Sequence, residues 1–211
     1  MIQGLIGKKI GMTQMFASDG AVIPVTILRV GPCVIVQKKI RENNNRLKVQ
    51  VGLVEERKVK GVSKPMQGCF KKANVPPTRI LREFSVDSDS LNVGDTIKVD
   101  IFAEKEKVNV MGITKGKGFQ GVVKRHGYSG GRGSHGSMFH RRVGSIGSNT
   151  DPGRVIKGKG MPGRMGGGRR TARHLEVVKV DSAQNILLVR GAVPGFNGNY
   201  ILITKDSFKR S

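Results

Sequence analysis

The residues that could do chemistry crowd into one glycine-rich stretch, where several imitate nucleotide-binding and catalytic signatures. Gly116-Lys117-Gly118-Phe119-Gln120-Gly121 fits the GxGxxG template of a phosphate-cradling loop, and Val123 extends it to the kinase form. The run from Gly153 to Gly160 fits GxxxxGK, and Gly127-Tyr128-Ser129-Gly130-Gly131 fits GxSxG. Residues 112–174 hold 18 of the chain's 30 glycines, so a three-glycine template arises there about once by chance. Context removes each match. A dinucleotide fold needs a helix after the last glycine and an acid about 20 residues on, yet no acid lies between Gly121 and Asp151. A kinase needs HRD and DFG motifs, and neither occurs. The GxxxxGK match ends on Gly160, where a Mg²⁺-binding Ser or Thr should stand. Ser129 sits in glycine-rich sequence without the strand–turn–helix of a nucleophile elbow. No catalytic residue is expected.

Metal chemistry fares no better. His126, His135 and His140 are spaced nine and five apart with no Cys or carboxylate between them, unlike the ligand sets that hold zinc or iron. Cys33 and Cys69 stand 36 residues apart, which gives neither a disulfide framework nor a CxxC knuckle and fits a reduced cytoplasm. No metal and no cofactor are expected. The histidines are left for hydrogen bonds to phosphate or ribose, or for packing.

What the stretch does repeat is Arg or Lys beside Gly, almost without carboxylates. Residues 112–174 carry 14 Lys+Arg and one acid, Asp151, whereas the remaining residues carry 24 and 14. More than half of the net charge of +23 thus lies in 63 of 211 residues. Glycine lets backbone N–H groups approach a phosphate, arginine binds it with two hydrogen bonds, and lysine meets it as a point charge. The candidate phosphate contacts are Lys115, Lys117, Lys124, Arg125, Arg132, Arg141, Arg142, Arg154, Lys157, Lys159, Arg164, Arg169 and Arg170. His135 and His140 are secondary candidates for ribose or phosphate. Aromatic residues are only 5% with no Trp, so backbone and shape contacts should dominate over base stacking. No helix-turn-helix, zipper or zinc-finger pattern offers an element for a DNA major groove. An irregular basic segment suits a large folded RNA, on which it would become ordered.

The flanking sequence must position that segment, and it reads as β structure. Ala21–Val30 is β-branched and closes at Gly31-Pro32; Val34–Val36, Leu47–Val51 and Thr96–Ile101 follow. Leu175–Val180, Ile186–Val189 and Tyr200–Thr204 come after the basic stretch. Short strands at this spacing predict a mainly β fold, a barrel or sandwich. Lys64–Ala73 and Thr78–Phe84 read as short helices. Strands on both sides imply that the basic segment is inserted between strands of one body. No apolar run approaches the roughly 18 residues of a membrane span, and the N-terminus lacks a secretion signal.

The ordered motifs also resemble the ribosomal protein L-three family of the large subunit, in its bacterial or organellar form, over nearly the whole chain. They are Gly4-Leu5-Ile6-Gly7-Lys8-Lys9-Ile10-Gly11-Met12-Thr13, the run Thr114–Arg125, Ser134-His135-Gly136, Gly144-Ser145-Ile146-Gly147, Pro152-Gly153-Arg154-Val155 and Leu187–Gly195. The resemblance implies a six-stranded-type β-barrel body with a long basic Gly-rich extension inserted between strands. On that basis residues 1–112 form the first part of the body, with a partly helical segment near 60–90. Residues 113–174 form the RNA-binding extension, and residues 175–211 complete the body.

It further implies a structural constituent of the large ribosomal subunit in the cytoplasm. Family members bind 23S-type ribosomal RNA early, near its 3′ end, and help nucleate assembly. Lys8 and Lys9 join the candidate RNA contacts, and the tip, Gly144 to Pro152 with Asn149, would approach the peptidyl transferase centre without a catalytic group. Neighbouring proteins L-fourteen and L-nineteen would contact the body, and no membrane, small-molecule substrate or homo-oligomer is expected. Three positions depart from the family pattern. Thr150 stands where some members carry a methylated glutamine, Gly68-Cys69-Phe70 replaces Gly-His-Phe, and His126 replaces a Trp found in some members. The competing readings are an architectural or chaperone-type nucleic-acid binder working off the ribosome, or an enzyme using a glycine-rich mimic.

Overall fold

The longest strand of the N-terminal half lies where the residue pattern gives no strand signal. β1 (Gly4–Phe16) is broken by three glycines, which weaken any β-propensity reading, yet tertiary pairing holds it extended. The structure, a computed structural model, describes residues 2–41, 46–55, 59, 61–86 and 91–206. β1 is followed by β2 (Val22–Val30), β3 (Cys33–Arg41), β4 (Arg46–Leu53), helix α1 (Lys64–Lys72), β5 (Leu81–Ser85) and β6 (Thr96–Ile97). Then come β7 (Lys107–Ile113), β8 (Gly118–Gln120), helix α2 (Val122–His126), β9 (Gly163–Met165), β10 (Arg169–Asp181), β11 (Ile186–Arg190) and β12 (Tyr200–Lys205). With about 43% strand against 9% helix, the chain is mainly β as expected.

Six strands close a barrel in the order β1-β12-β7-β10-β11-β2, all neighbours antiparallel. Closure removes every free edge. The seam joins the first and last strands, with Gly4 opposite Thr204 and Lys8 opposite Tyr200. The interior is filled by alternate residues such as Leu28, Val108, Val110, Val177, Leu187, Val189 and Ile203, each fully buried. A second sheet, β5-β4-β3-β6, shares this core: Val49, Val51, Phe84 and Ile97 belong to the same apolar cluster as Leu5 and Ile6. That explains why consecutive residues of β1, which face opposite sides, are both buried. α1 starts with Pro65 in its first turn, where a missing N–H costs nothing. It buries Phe70 against Val34, Val36 and Val75.

Two expectations need correction. Thr78–Phe84 is not helical: Leu81–Ser85 is a strand paired with Lys48–Gly52, because Phe84 reaches the core only from the sheet edge. Thr96–Ile101 is a strand for two residues only, paired with Cys33 and Val34. Val99–Ile101 then makes a turn of 3₁₀ helix that brings Val99 and Phe102 into the core. β7 also escaped the pattern reading, although Val108, Val110 and Gly112 alternate as a buried face. Residues 60 and 87–90 of the segment read as partly helical lie outside the described residues.

The chain divides into two compact units, residues 1–113 with 169–211, and residues 114–168. The ends of the first unit's two pieces are register partners, Ile113 opposite Arg169. The barrel is therefore continuous across the insertion. β10 starts at Arg169, inside the range read as extension, because Arg169–Ala172 complete the ladder with Val110–Ile113.

Cys33 is fully buried and Cys69 exposed. Burial pushes the Cys33 thiol from its ordinary 9.0 up to about 12. In the native protein iodoacetamide should therefore modify Cys69 and spare Cys33 until the fold opens. The unfolded thiol ionises first, so Cys33 should contribute its full stability below pH 9.0 and lose it progressively towards pH 12. Urea titrations of Cys33→Val should show a flatter decline in stability over that alkaline range.

Candidate nucleic-acid interface

Residues 114–168 hold eleven Lys and Arg, one acid and 17 glycines. Regular structure is confined to the two ends of this unit. β8 and β9 pair, with Phe119 opposite Arg164, and the Lys117 N–H extends the ladder to the Met165 carbonyl at 2.9 Å. α2 follows β8 and ends at Gly127, whose φ of +75° is the left-handed cap that glycine adopts without strain. The unit buries one apolar side chain fully, Val122, so polar staples take the place of a core. Arg125 Nη1 donates to the Met161 carbonyl at 2.7 Å, and Tyr128 Oη donates to the Gly160 carbonyl at 3.3 Å. The His126 ring lies 3.0 Å from the same Met161 carbonyl.

Further along, the Gly131 N–H donates to the His140 carbonyl at 2.6 Å and closes a loop. Its tightness fixes Gly130: with φ +80°, a Cβ there would lie 2.7 Å from the His140 carbonyl oxygen. His135 and His140 themselves have φ of 59° and 45°, a region that non-glycine residues rarely enter. From Val143 to Gly158 no backbone amide donates a hydrogen bond to another described residue.

Within this unit Lys115, Lys117, Lys124, Arg132, Arg141, Arg142, Arg154, Lys157, Lys159 and Arg164 are exposed, as are His135, His140 and Asn149. Arg125 is half-buried by its bond to Met161. Among the described residues no ion pair involves residues 114–168. The charge is left facing solvent. Arg169 and Arg170 are exposed on β10 and belong to the barrel unit.

Lys8 and Lys9 differ from this set in having protein partners. The Lys9 side chain is buried, its Nζ donating to the Val193 carbonyl at 2.8 Å and the Gly195 carbonyl at 3.3 Å. Lys8 Nζ pairs with the Glu55 carboxylate and lies 4.8 Å from the centre of the Tyr200 ring, whose hydroxyl donates to Glu55 at 2.6 Å. Burial disfavours charge on both partners, but their mutual hydrogen bond and attraction win. Lys8 is therefore held above its ordinary pKa and Glu55 below its own. Lys9 is turned inward and Lys8 is ion-paired at a partly exposed position, a difference that spacing alone does not reveal.

One residue was passed over. Phe119, which lies in both the GxGxxG match and the run Thr114–Arg125, is 76% exposed. The signal available was its place between glycines and lysines. Among the described residues no group of three His, Cys, Asp or Glu could hold a metal, and no helix is long and apolar enough to cross a membrane.

Two outcomes follow from these contacts. Lys9→Met should destabilise the fold by about 1–3 kcal/mol, because two buried carbonyls lose a charged donor; urea denaturation measures it. In the free protein, amide hydrogen exchange should be slow at 169–172, within the barrel ladder, and fast from 143 to 158.

Comparison with known proteins agrees with the geometry. The ribosomal protein L3 family profile matches residues 80–186, half of the chain. The large ribosomal subunit protein uL3 of Solibacter usitatus is 52% identical over 208 residues, covering 98% of this chain and 99% of that protein. The uL3 of Carboxydothermus hydrogenoformans is 50% identical over 210 residues, covering 99% of each. That of Alkaliphilus metalliredigens is 51% identical over 195 residues, covering 92% of each. The chain belongs to the ribosomal protein L3 family, bacterial type, and is a structural, non-enzymatic constituent of the large ribosomal subunit.

Proposed function

We propose that this chain is a primary binder of large-subunit ribosomal RNA, attaching near the RNA's 3′ end and helping to nucleate subunit assembly in the bacterial cytoplasm. The observation that carries the reading is the set of unpaired, exposed cations in residues 114–168, with Asp151 as the sole acid. Repulsion among them is offset only by an external polyanion. Phosphates are the partner of matching chemistry, since Arg presents a fork and open glycine backbone admits close approach. Lys115, Lys117, Lys124, Arg132, Arg141, Arg142, Arg154, Lys157, Lys159 and Arg164 make most of these contacts, with Arg169 and Arg170 from the barrel. Arg125 divides its guanidinium between Met161 and RNA. His135 and His140 meet ribose or phosphate.

The run of amides without internal acceptors, Val143 to Gly158, contains the tip Gly144 to Pro152. In this reading the tip and Asn149 extend towards the peptidyl transferase centre and supply no catalytic group. The body meets neighbouring proteins, L-fourteen and L-nineteen. Lys9 is not assigned an RNA contact, because its ammonium is buried against the Val193 and Gly195 carbonyls, and neither is Lys8, whose partly exposed ammonium is paired with Glu55.

Salt titration tests the electrostatic core of this reading. The logarithm of affinity for a large-subunit RNA transcript should fall with the logarithm of salt at a slope of roughly −5 to −8, about 0.7–0.9 per phosphate contacted. Replacing Arg141 and Arg142 together with Ala should flatten the slope by about 1.5. A slope near zero for the native protein would sink the proposal. Loss from the large subunit in sucrose gradients would instead favour a nucleic-acid chaperone.

A further inference from the structure

Phe119 is the centre of β8, and its register partner Arg164 is the centre of β9. Cross-strand partners on an antiparallel ribbon project from the same face, with Cβ atoms about 5 Å apart. The two side chains thus leave the ribbon on one face, with the Arg164 guanidinium passing beside Gly167. Both are exposed, the ring at 76%. Glycine lies close by on both strands, Gly118 just before the ring, Gly121 two residues after it and Gly163 next to its partner, so none of these three positions has a side chain to cover it. A Cβ at Gly118 or Gly121 would still meet nothing within 4 Å. Lys115 and Lys117 lie just ahead on the chain, also exposed.

A lone exposed aromatic needs no explanation in general. Here its surroundings restrict what could cover it. An apolar protein surface seated on the ring would also bury Arg164, and the unit's sole acid, Asp151, lies outside both strands. Desolvating an unpaired cation costs more than covering one ring gains. A nucleotide satisfies both groups at once, with a flat base for the ring and a phosphate for the guanidinium.

We propose that Phe119 and Arg164 form a nucleotide clamp: the ring stacks on one unpaired base of large-subunit ribosomal RNA, and Arg164 holds an adjoining phosphate. This rests on the RNA-binding reading above and adds a base contact to a surface otherwise built for backbone. Stacking makes the clamp responsive to whether that base is unpaired, which phosphate contacts alone cannot sense.

The chain has no Trp, so Phe119→Trp places a single indole reporter at the site. On titration with a large-subunit ribosomal RNA transcript, its fluorescence should be quenched in step with binding, at near-native affinity. Phe119→Ala and Phe119→Leu should each lose affinity about tenfold, with the native salt slope kept. Arg164→Gln should instead flatten the slope by about 0.7–0.9. All four changes are at exposed positions, and unchanged circular dichroism would confirm intact folding. If Phe119→Ala binds the transcript at full affinity, or the indole stays unquenched while RNA is bound, the clamp is overturned and the RNA-binding reading stands. If Phe119→Ala binds RNA fully but no longer stays with the large subunit in gradients, the ring docks on a protein, which also overturns the clamp. Failure of the native chain to bind the transcript would sink both readings.

Discussion

Eleven cations and one carboxylate confined to residues 114–168 cannot neutralise one another, and much of the molecule's design follows from that. A chain segment in this state cannot collapse on itself, because collapse would bring like charges together in a medium that screens them less. It keeps its backbone open with glycine, buries a single apolar side chain, and holds its shape with donors to carbonyl groups. The Arg125 and Tyr128 bonds are examples. The barrel unit treats charge in the opposite way. Lys8 meets Glu55, Lys39 meets Glu83, Arg190 meets Glu176 and Lys205 meets Glu106. The barrel unit pairs part of its charge, its 27 Lys and Arg facing 14 acids, whereas residues 114–168 have one acid for eleven cations and are left to be completed from outside.

Much of the barrel was legible because its strands carry the usual signature of β-branched residues between turn residues. Ile186–Val189 and Tyr200–Thr204 are examples. Strands that escaped notice did so for definite reasons. In β1, glycines stand where the chain packs close to its neighbours: a Cβ on Gly7 would lie 2.6 Å from the Arg29 carbonyl. Such closeness is a property of the assembled barrel and leaves only a weak local mark. Leu81–Ser85 had the composition of either helix or strand, and its partner β4 decided the matter. Long-range pairing outweighs local preference in such short segments.

The candidate interface was legible to a different degree at each level. Residue type and the absence of acids located the cations of 114–168, since nothing nearby could pair with them. The same logic could not reveal the partners of Lys8 and Lys9, because Glu55, Val193 and Gly195 lie at least 47 residues away in sequence. Composition argued against stacking as the main mode. It could not reveal that one ring, Phe119, has an arginine as its cross-strand neighbour, because that relation comes from β8 pairing with β9.

The seam between β1 and β12 has a consequence for how the protein is made. Gly4 and Thr204 are opposite each other, so the barrel cannot close until β12 has been made, about 200 residues after β1 begins. At bacterial speeds of about 5–20 residues per second, the first strand waits on the order of 10 to 40 seconds for its partner. Residues 114–168 emerge well before that moment. The newborn chain therefore displays its most adhesive, least self-sufficient portion while the scaffold meant to carry it is still incomplete. For a polypeptide born in a cell crowded with nucleic acid, the interval between emergence and closure is its period of greatest exposure to the wrong strand.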